Sequence, residues 1–279
     1  MKTTLRHAVR GCRGTSLVEI LITLTIMAII TTAIFNVYLT QHKNYLIQED
    51  VTAVQQNARA SIDEIGRQIR MAGHGLPLEM APLRAINANP DTIVVTYRTG
   101  DCETFLSAAM PQPSAELKCG SDVSCFEEGQ WVYIFEPDSG GGEWFVLTHV
   151  QTGSNHLQHN TMTLSKKYAK DAIVMSVNQV KFYVDATTDP RHPSLMLEVP
   201  CHAPQVFATD IEDLQFRYRM KNGVIVDQPV VVDDVREVII TLTARSAHED
   251  PNMAQIGGHD DSYRRRSFTT SVFLRNVGI

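Results

Sequence analysis

Residues 14–39 read GTSLVEILITLTIMAIITTAIFNVYL, and they decide how the rest of the chain is read. From Ile20 to Leu39 no residue carries a charge. As a helix that run is roughly 30 Å long, about the hydrocarbon thickness of a bilayer. One acid, Glu19, stands at its edge. A carboxylate there costs on the order of 2–3 kcal/mol unless it is paired or reaches water, which makes Glu19 a candidate functional residue. The plainer alternative is an interfacial acid that reaches back to lipid headgroups. Thr23, Thr25, Thr31 and Thr32 are expected to turn their hydroxyls back onto helix carbonyls.

Outward in the N-terminal direction lies MKTTLRHAVRGCRG, with Lys2, Arg6, Arg10, Arg13 and no acid. On the far side only His42 and Lys43 come before Glu49 and Asp50. That asymmetry predicts a cytoplasmic leader and a translocated remainder. No small-x-small site follows the apolar run, which disfavours an ordinary cleaved signal. Without the four leader cations, the formal charge of −6 becomes −10, a poor basis for binding nucleic acid.

Outward in the other direction, helical periodicity continues. Ile47, Val51, Val54, Ala58, Ile62, Ile65, Ile69 and Ala72 form one stripe. Gln56, Arg59, Asp63, Arg67 and Arg70 take the opposite face. No proline occurs between Thr15 and Leu76, so a single helix is expected over residues 15–72, with Gly66 a mild cost. Gly73, Gly75 and Pro77 are its stop signals.

Beyond it the chain reads as strands. Alternation is clean in Leu214–Met220 and Val238–Arg245, and Phe268, Thr270, Val272 and Leu274 share one face of another strand. Shorter candidates are Ile93–Tyr97, Trp131–Phe135, Trp144–Val150, Val177–Val184 and Leu195–Val199. Turns are expected at Lys221-Asn222-Gly223 and Thr152-Gly153-Ser154-Asn155. In/out alternation favours an antiparallel sheet with one side buried. The fold class is α+β, a long N-terminal helix packed on a β-rich head.

Cys12 lies in the leader; Cys102, Cys119, Cys125 and Cys201 remain, an even number in an oxidising compartment. Four cysteines allow three pairings, and the sequence does not choose among them. Their spacing suggests a small Cys119–Cys125 loop with Cys102–Cys201 as the long-range bond.

Several other signals take their plainer meaning. His156, His159, His192 and His202 are expected as exposed loop histidines, not metal ligands. Asp185, Asp189, Asp233, Asp234, Asp260 and Asp261 have no calcium-loop spacing and are expected in turns. Ser139-Gly140-Gly141-Gly142 lacks the Lys and the following helix of a phosphate loop and reads as a hairpin tip. Arg264, Arg265 and Arg266 read as a solvated strand edge in preference to a DNA contact. No nucleophile–base arrangement has a recognisable context, so neither enzyme activity nor a cofactor is expected.

Gly14, then Thr15-Ser16-Leu17-Val18-Glu19 and an immediate apolar run, resembles the processing site of type IV prepilins. That family is cut after the glycine, and Glu19 is fifth counting from Thr15. The usual first mature residue is Phe, and Thr15 departs from it. In the head, Asp210–Tyr218, Val235–Ser246, the Arg266–Asn276 strand and Ile69-Arg70-Met71-Ala72-Gly73 resemble minor pilins of the PilW type. Residues 100–129 and 185–205 resemble nothing in that group.

The resemblance implies a type IV pilin-like fold with four parts. These are a leader (1–14), a membrane and filament-core helix (15–39), its amphipathic continuation (40–76) and a periplasmic head (77–279). It implies cleavage at Gly14–Thr15, N-methylation of Thr15, and pairing of Glu19 with a neighbouring subunit's terminus. The implied role is that of a minor pilin that helps initiate pilus assembly, with parts in adhesion and twitching motility. Its partners would be other minor pilins, the major pilin, the prepilin peptidase, the inner-membrane assembly platform and membrane lipid. It would sit first in the inner membrane and then in the filament. The alternatives are a J-type pseudopilin of a type II secretion system and a membrane-anchored periplasmic adhesin or binding module.

Overall fold

The computed structural model describes residues 16–77, 80–98, 100, 102–137, 141–200, 202–250 and 261–277. The expected helix is present as α1 (Leu17–Met71). Two compact units divide the chain within it, Met1–Glu49 and Asp50–Ile279. In the second unit the helix buries Val54, Ala58, Ile62, Ile65 and Ile69, the residues of the sequence stripe, while Gln56, Arg59, Asp63, Arg67 and Arg70 stay exposed. At Gly66 the helix comes close to Val272; a Cβ there would lie 3.3 Å from Val272 Cγ2. The helix stops at Gly73, whose φ of +80° suits glycine and whose Cβ would stand 2.4 Å from the Asn276 carbonyl oxygen.

After the helix come β1 (Leu83–Ile86) and β2 (Thr92–Tyr97). The chain then makes an excursion through residues 98–177, which contain β3 (Glu103–Phe105), β4 (Leu117–Lys118), β5 (Trp131–Phe135), β6 (Gly142–Val146), β7 (His149–Gln151), β8 (His156–Gln158) and β9 (Ile173–Ser176). It returns as β10 (Asn178–Asp185), β11 (Ser194–Glu198), β12 (Gln205–Thr209), β13 (Ile211–Met220), β14 (Ile225–Val226), β15 (Val235–Glu249) and β16 (Tyr263–Phe273).

Two sheets carry the main core. One has the order β1-β2-β10-β11-β12, the other β14-β13-β15-β16, with antiparallel pairing throughout. Leu214, Phe216 and Tyr218 of β13, Val238, Ile240, Leu242 and Ala244 of β15, and Val272 of β16 join Ile65 and Ile69 of the helix in one cluster. From the other sheet Ile93, Val95, Val180, Phe182 and Leu195 enter the same cluster. The two-residue period places these side chains on one face of each strand, as alternation requires.

Asp91 joins the sheets. It is 3% exposed. Its Oδ2 accepts the Phe216 N–H at 2.8 Å, its Oδ1 accepts the Ala88 N–H at 2.9 Å, and its own N–H donates to the Leu214 carbonyl at 2.8 Å. The buried carboxylate thus satisfies the Phe216 N–H of β13, and the Asp91 backbone N–H satisfies the Leu214 carbonyl of the same strand.

The 98–177 excursion is an insert with a core of its own. β2 and β10 are direct neighbours, Thr96 opposite Gln179, yet the intervening chain builds two further sheets, β3-β9-β5-β6 and β4-β8-β7. Leu106, Leu117, Val132, Ile134, Phe145, Leu157 and Val174 pack there in a separate cluster. The single strand expected over Trp144–Val150 is two. Leu147 N–H turns to the Gln130 carbonyl and Thr148 N–H to Gln158, so β6 pairs with β5 and β7 with β8. Both expected turns are present, Gly223 at φ +84° and Asn155 at φ 55°.

Candidate membrane segment and assembly surface

Helix α1 up to Glu49 buries nothing in its own unit. Ile26, Met27, Ile29 and Ile30 are 51%, 66%, 67% and 52% exposed, and Ala28 between them is exposed too. At 3.6 residues per turn Ile26, Met27, Ala28 and Ile29 point about 100° apart and together go round the helix, so the surface is apolar all round. It is the one helix among the described residues long and apolar enough to cross a membrane, and none of its most apolar window is buried. Leaving that surface in water would be unfavourable by tens of kcal/mol on an order-of-magnitude area count. Lipid or other apolar helices must cover it.

Thr23, Thr25 and Thr32 hydroxyls donate to the carbonyls of Glu19, Leu21 and Ala28 at 3.0, 2.5 and 2.8 Å, as expected, so these three threonines form no polar track; the bond expected for Thr31 is not made among the described residues. Glu19 is the charged group of the apolar segment. It lies exposed in the first turn of α1, and among the described residues no side chain pairs with its carboxylate. The helix N-terminus favours an acid there by about 0.3–1 kcal/mol, less than the cost of carrying it into an apolar medium. Gly14 and Thr15, the cleavage and methylation positions, lie outside the described residues.

The cysteines depart from the expected pairing. Cys102 bonds to Cys125, with Cα atoms 5.7 Å apart, and Cys119 is a buried free thiol. The close spacing of Cys119 and Cys125 misled because Cys119 is drawn into the insert core beside Leu117, opposite Leu106. Burial pushes its pKa up to about 11, against a smaller downward pull from the Thr104 hydroxyl. It stays a protonated thiol at neutral pH. Cys201 lies outside the described residues.

The charged signals also resolve into internal partnerships. Arg264 donates to Asp250 at 3.0 and 2.5 Å. Arg265 forks onto Glu212 at 2.6 and 2.8 Å and reaches both oxygens of Asp261 at 2.6 and 2.7 Å. Its pKa is raised by the Asp261 and Glu212 carboxylates. The basic run lies on the edge strand β16, with Arg264 and Arg266 exposed as its sequence suggested, but its cations are not free. Two of its three cations are already neutralised, and Arg266 lies over the Phe268 ring.

His159 is a second correction. It is 3% exposed, with its ring nitrogens 2.7 and 2.9 Å from the carbonyl oxygens of Met162 and Ala115. His192 lies 2.8 Å from Asp210, whereas His202 is exposed. Asp185 and Asp189 hold turns, as expected, Asp185 through Thr187 and Thr188 and Asp189 through the Arg191 N–H. Asp260 lies outside the described residues. No cluster of His, Cys, Asp or Glu suited to a metal occurs among the described residues.

Sequence reasoning missed Asp91 and Arg245. Arg245 is 7% exposed; it donates to the Pro190 and Arg191 carbonyls at 2.7 Å each and stacks 4.4 Å from the Tyr263 ring centroid. Neither position carries a local sign of burial. Asp91 follows Asn89-Pro90, which reads as a turn, and Arg245 ends the alternating run Val238–Arg245, where a polar residue is ordinary, although β15 continues to Glu249.

No protein-family model matches the chain, and no curated protein does. Among solved structures it is similar to a type IV-like pilin from Thermus thermophilus, at 10% identity over 83% of this chain and 98% of that one, with a TM-score of 0.39. At that score the likeness is a similarity and nothing more.

Proposed function

We propose that the chain is a pilin-type structural subunit, a minor pilin of the PilW type in a type IV pilus system. In this reading it is held first in the inner membrane by the apolar part of α1, leader inside and head outside. It is cut after Gly14 and N-methylated on Thr15, and it then enters the filament with other minor pilins and the major pilin. The observation that carries the reading is a helix apolar on every side, with a lone acid in its first turn that no side chain among the described residues pairs.

The chemistry follows from that pairing problem. Cleavage at Gly14 would place a new ammonium on Thr15, close to Glu19 in sequence. Inside a bundle of apolar helices neither charge can remain alone without a cost of several kcal/mol. The terminus of one subunit meeting Glu19 of the next satisfies both, and it fixes the axial register while the surrounding Ile and Leu side chains supply contact area. The acid then selects the docking position more than it stabilises the fold.

Mass spectrometry of the mature chain from sheared filaments tests the first half. A start at N-methylated Thr15 is expected, and a chain retaining residues 1–14 within filaments overturns the reading. For the second half, Glu19→Gln should leave the head folded and membrane insertion intact while lowering filament incorporation by roughly tenfold or more, the equivalent of losing about 1.4 kcal/mol in docking. Undiminished incorporation of that variant removes Glu19 from the assembly step.

A further inference from the structure

The insert leans its β5–β6 hairpin over the outer face of the main sheet, and a cleft of about 440 Å³ opens between them. That volume is within the range of small-ligand sites. Its floor is a row across three strands: Arg84 of β1 stands opposite Val94 of β2, which stands opposite Lys181 of β10. The two cations are thus two strands apart, roughly 10 Å between backbones. Thr96 and Gln179 form the next row, their side chains 3.5 Å apart. Trp144 and Tyr133 of the hairpin supply the wall.

Three properties select a ligand. The wall is rigid, because Trp144 lies edge-to-face with Tyr133, centroids 5.5 Å apart, and with Trp131 at 6.2 Å, and interlocked rings lose little entropy when a ligand stacks on them. The lining is cationic in an acidic protein: among the described residues that border the cleft are Arg84 and Lys181 and no acid, and the chain's formal charge is −6. Lys181 is offset by Glu198 at 2.8 Å, whereas among the described residues Arg84 meets no carboxylate. The floor strands β2 and β10 are each paired on both sides, so the floor offers side chains and no unpaired backbone to which a peptide strand could add.

We propose that this cleft binds an acidic oligosaccharide of uronic-acid units, one sugar face stacked on Trp144 with its carboxylate in the guanidinium fork of Arg84. Gln179 and Thr96 present an amide and a hydroxyl to the ring hydroxyls, and Lys181 lies where a neighbouring carboxylate would fall. An arginine fork matches a carboxylate in a way that no neutral sugar group does. The inference concerns the head alone and stands whether or not the chain enters a filament.

The test uses the full chain in detergent micelles. The protein has two tryptophans, so Trp131→Phe leaves Trp144 as sole reporter. Titration with a short galacturonic-acid oligomer should change its fluorescence saturably. The methyl-esterified, neutral oligomer should bind roughly tenfold or more weakly, and Arg84→Gln should lose affinity for the acid form by a similar factor, as expected when a charge-assisted bond is removed. Arg84→Lys, which keeps the charge without the fork, should fall between.

The proposal is overturned by the absence of a saturable change, by equal binding of the methyl ester, or by an Arg84→Gln variant that binds as well as its parent. It is also overturned by a glutamate oligomer that competes equally, which would make the cleft a site for acidic peptides. Titration calorimetry on the unaltered chain repeats the comparison without relying on Trp131→Phe.

Discussion

Asp91 shows how much one side chain can decide in this head. Its two oxygens accept the backbone N–H groups of Ala88 and Phe216 while it is 3% exposed, so replacing it strands the buried Phe216 donor, whereas Ala88 is exposed and can turn to water. Asp91→Ala should destabilise the head by about 1–3 kcal/mol, read as a lowered urea midpoint with an unchanged slope. Asp91→Asn keeps one acceptor oxygen and should lose less. Glu19 is the opposite case. Its sequence setting announces a function, and it contributes little to the fold of its own chain. Of the two, the sequence discloses only Glu19, because an acid at the edge of twenty uncharged residues stands out, whereas an acid after a turn does not.

At the scale of elements, the contrast lies between the main core and the insert. Helix and sheet packing in the main core follow from periodicity, three-and-a-half in α1 and two in β13, β15 and β16. The insert has short strands, between two and five residues each, and its core is correspondingly small. Cys102–Cys125 closes a span of 23 residues in it, a constraint on the unfolded chain worth about 3 kcal/mol. Reducing that bond, or making Cys125→Ser, should loosen the insert while the helix stripe at Ile62–Ile69 keeps its protection. Hydrogen exchange followed by mass spectrometry separates the two. Equal loss of protection in both would show that the clusters unfold as one.

At the scale of the whole molecule, the chain comprises two units of different surface character. Between Leu17 and Leu39 the helix exposes apolar surface in every direction, and the residues from Asp50 onward enclose their own core. A chain beginning at Asp50 should therefore be soluble without detergent and keep its strand content by circular dichroism. The full chain should require detergent or lipid. Aggregation of the shortened chain, with loss of its strand signal, would show that the first unit contributes to the head's stability.

The sequence by itself determined the apolar helix, its continuation as a one-sided stripe, its end at Gly73 and the long strands of the head. Each rests on a period or a residue type that acts over a few neighbours. It determined also that Glu19 would be unusual, since charge and hydropathy are local properties. Only the tertiary structure decided that residues 98–177 leave between two adjacent strands, that Cys102 pairs with Cys125 and not with Cys201, that Arg264 and Arg265 are occupied by carboxylates, and that Arg84 and Trp144 face one cleft. Those outcomes depend on which distant segments share a surface, and no periodicity along the chain encodes that choice.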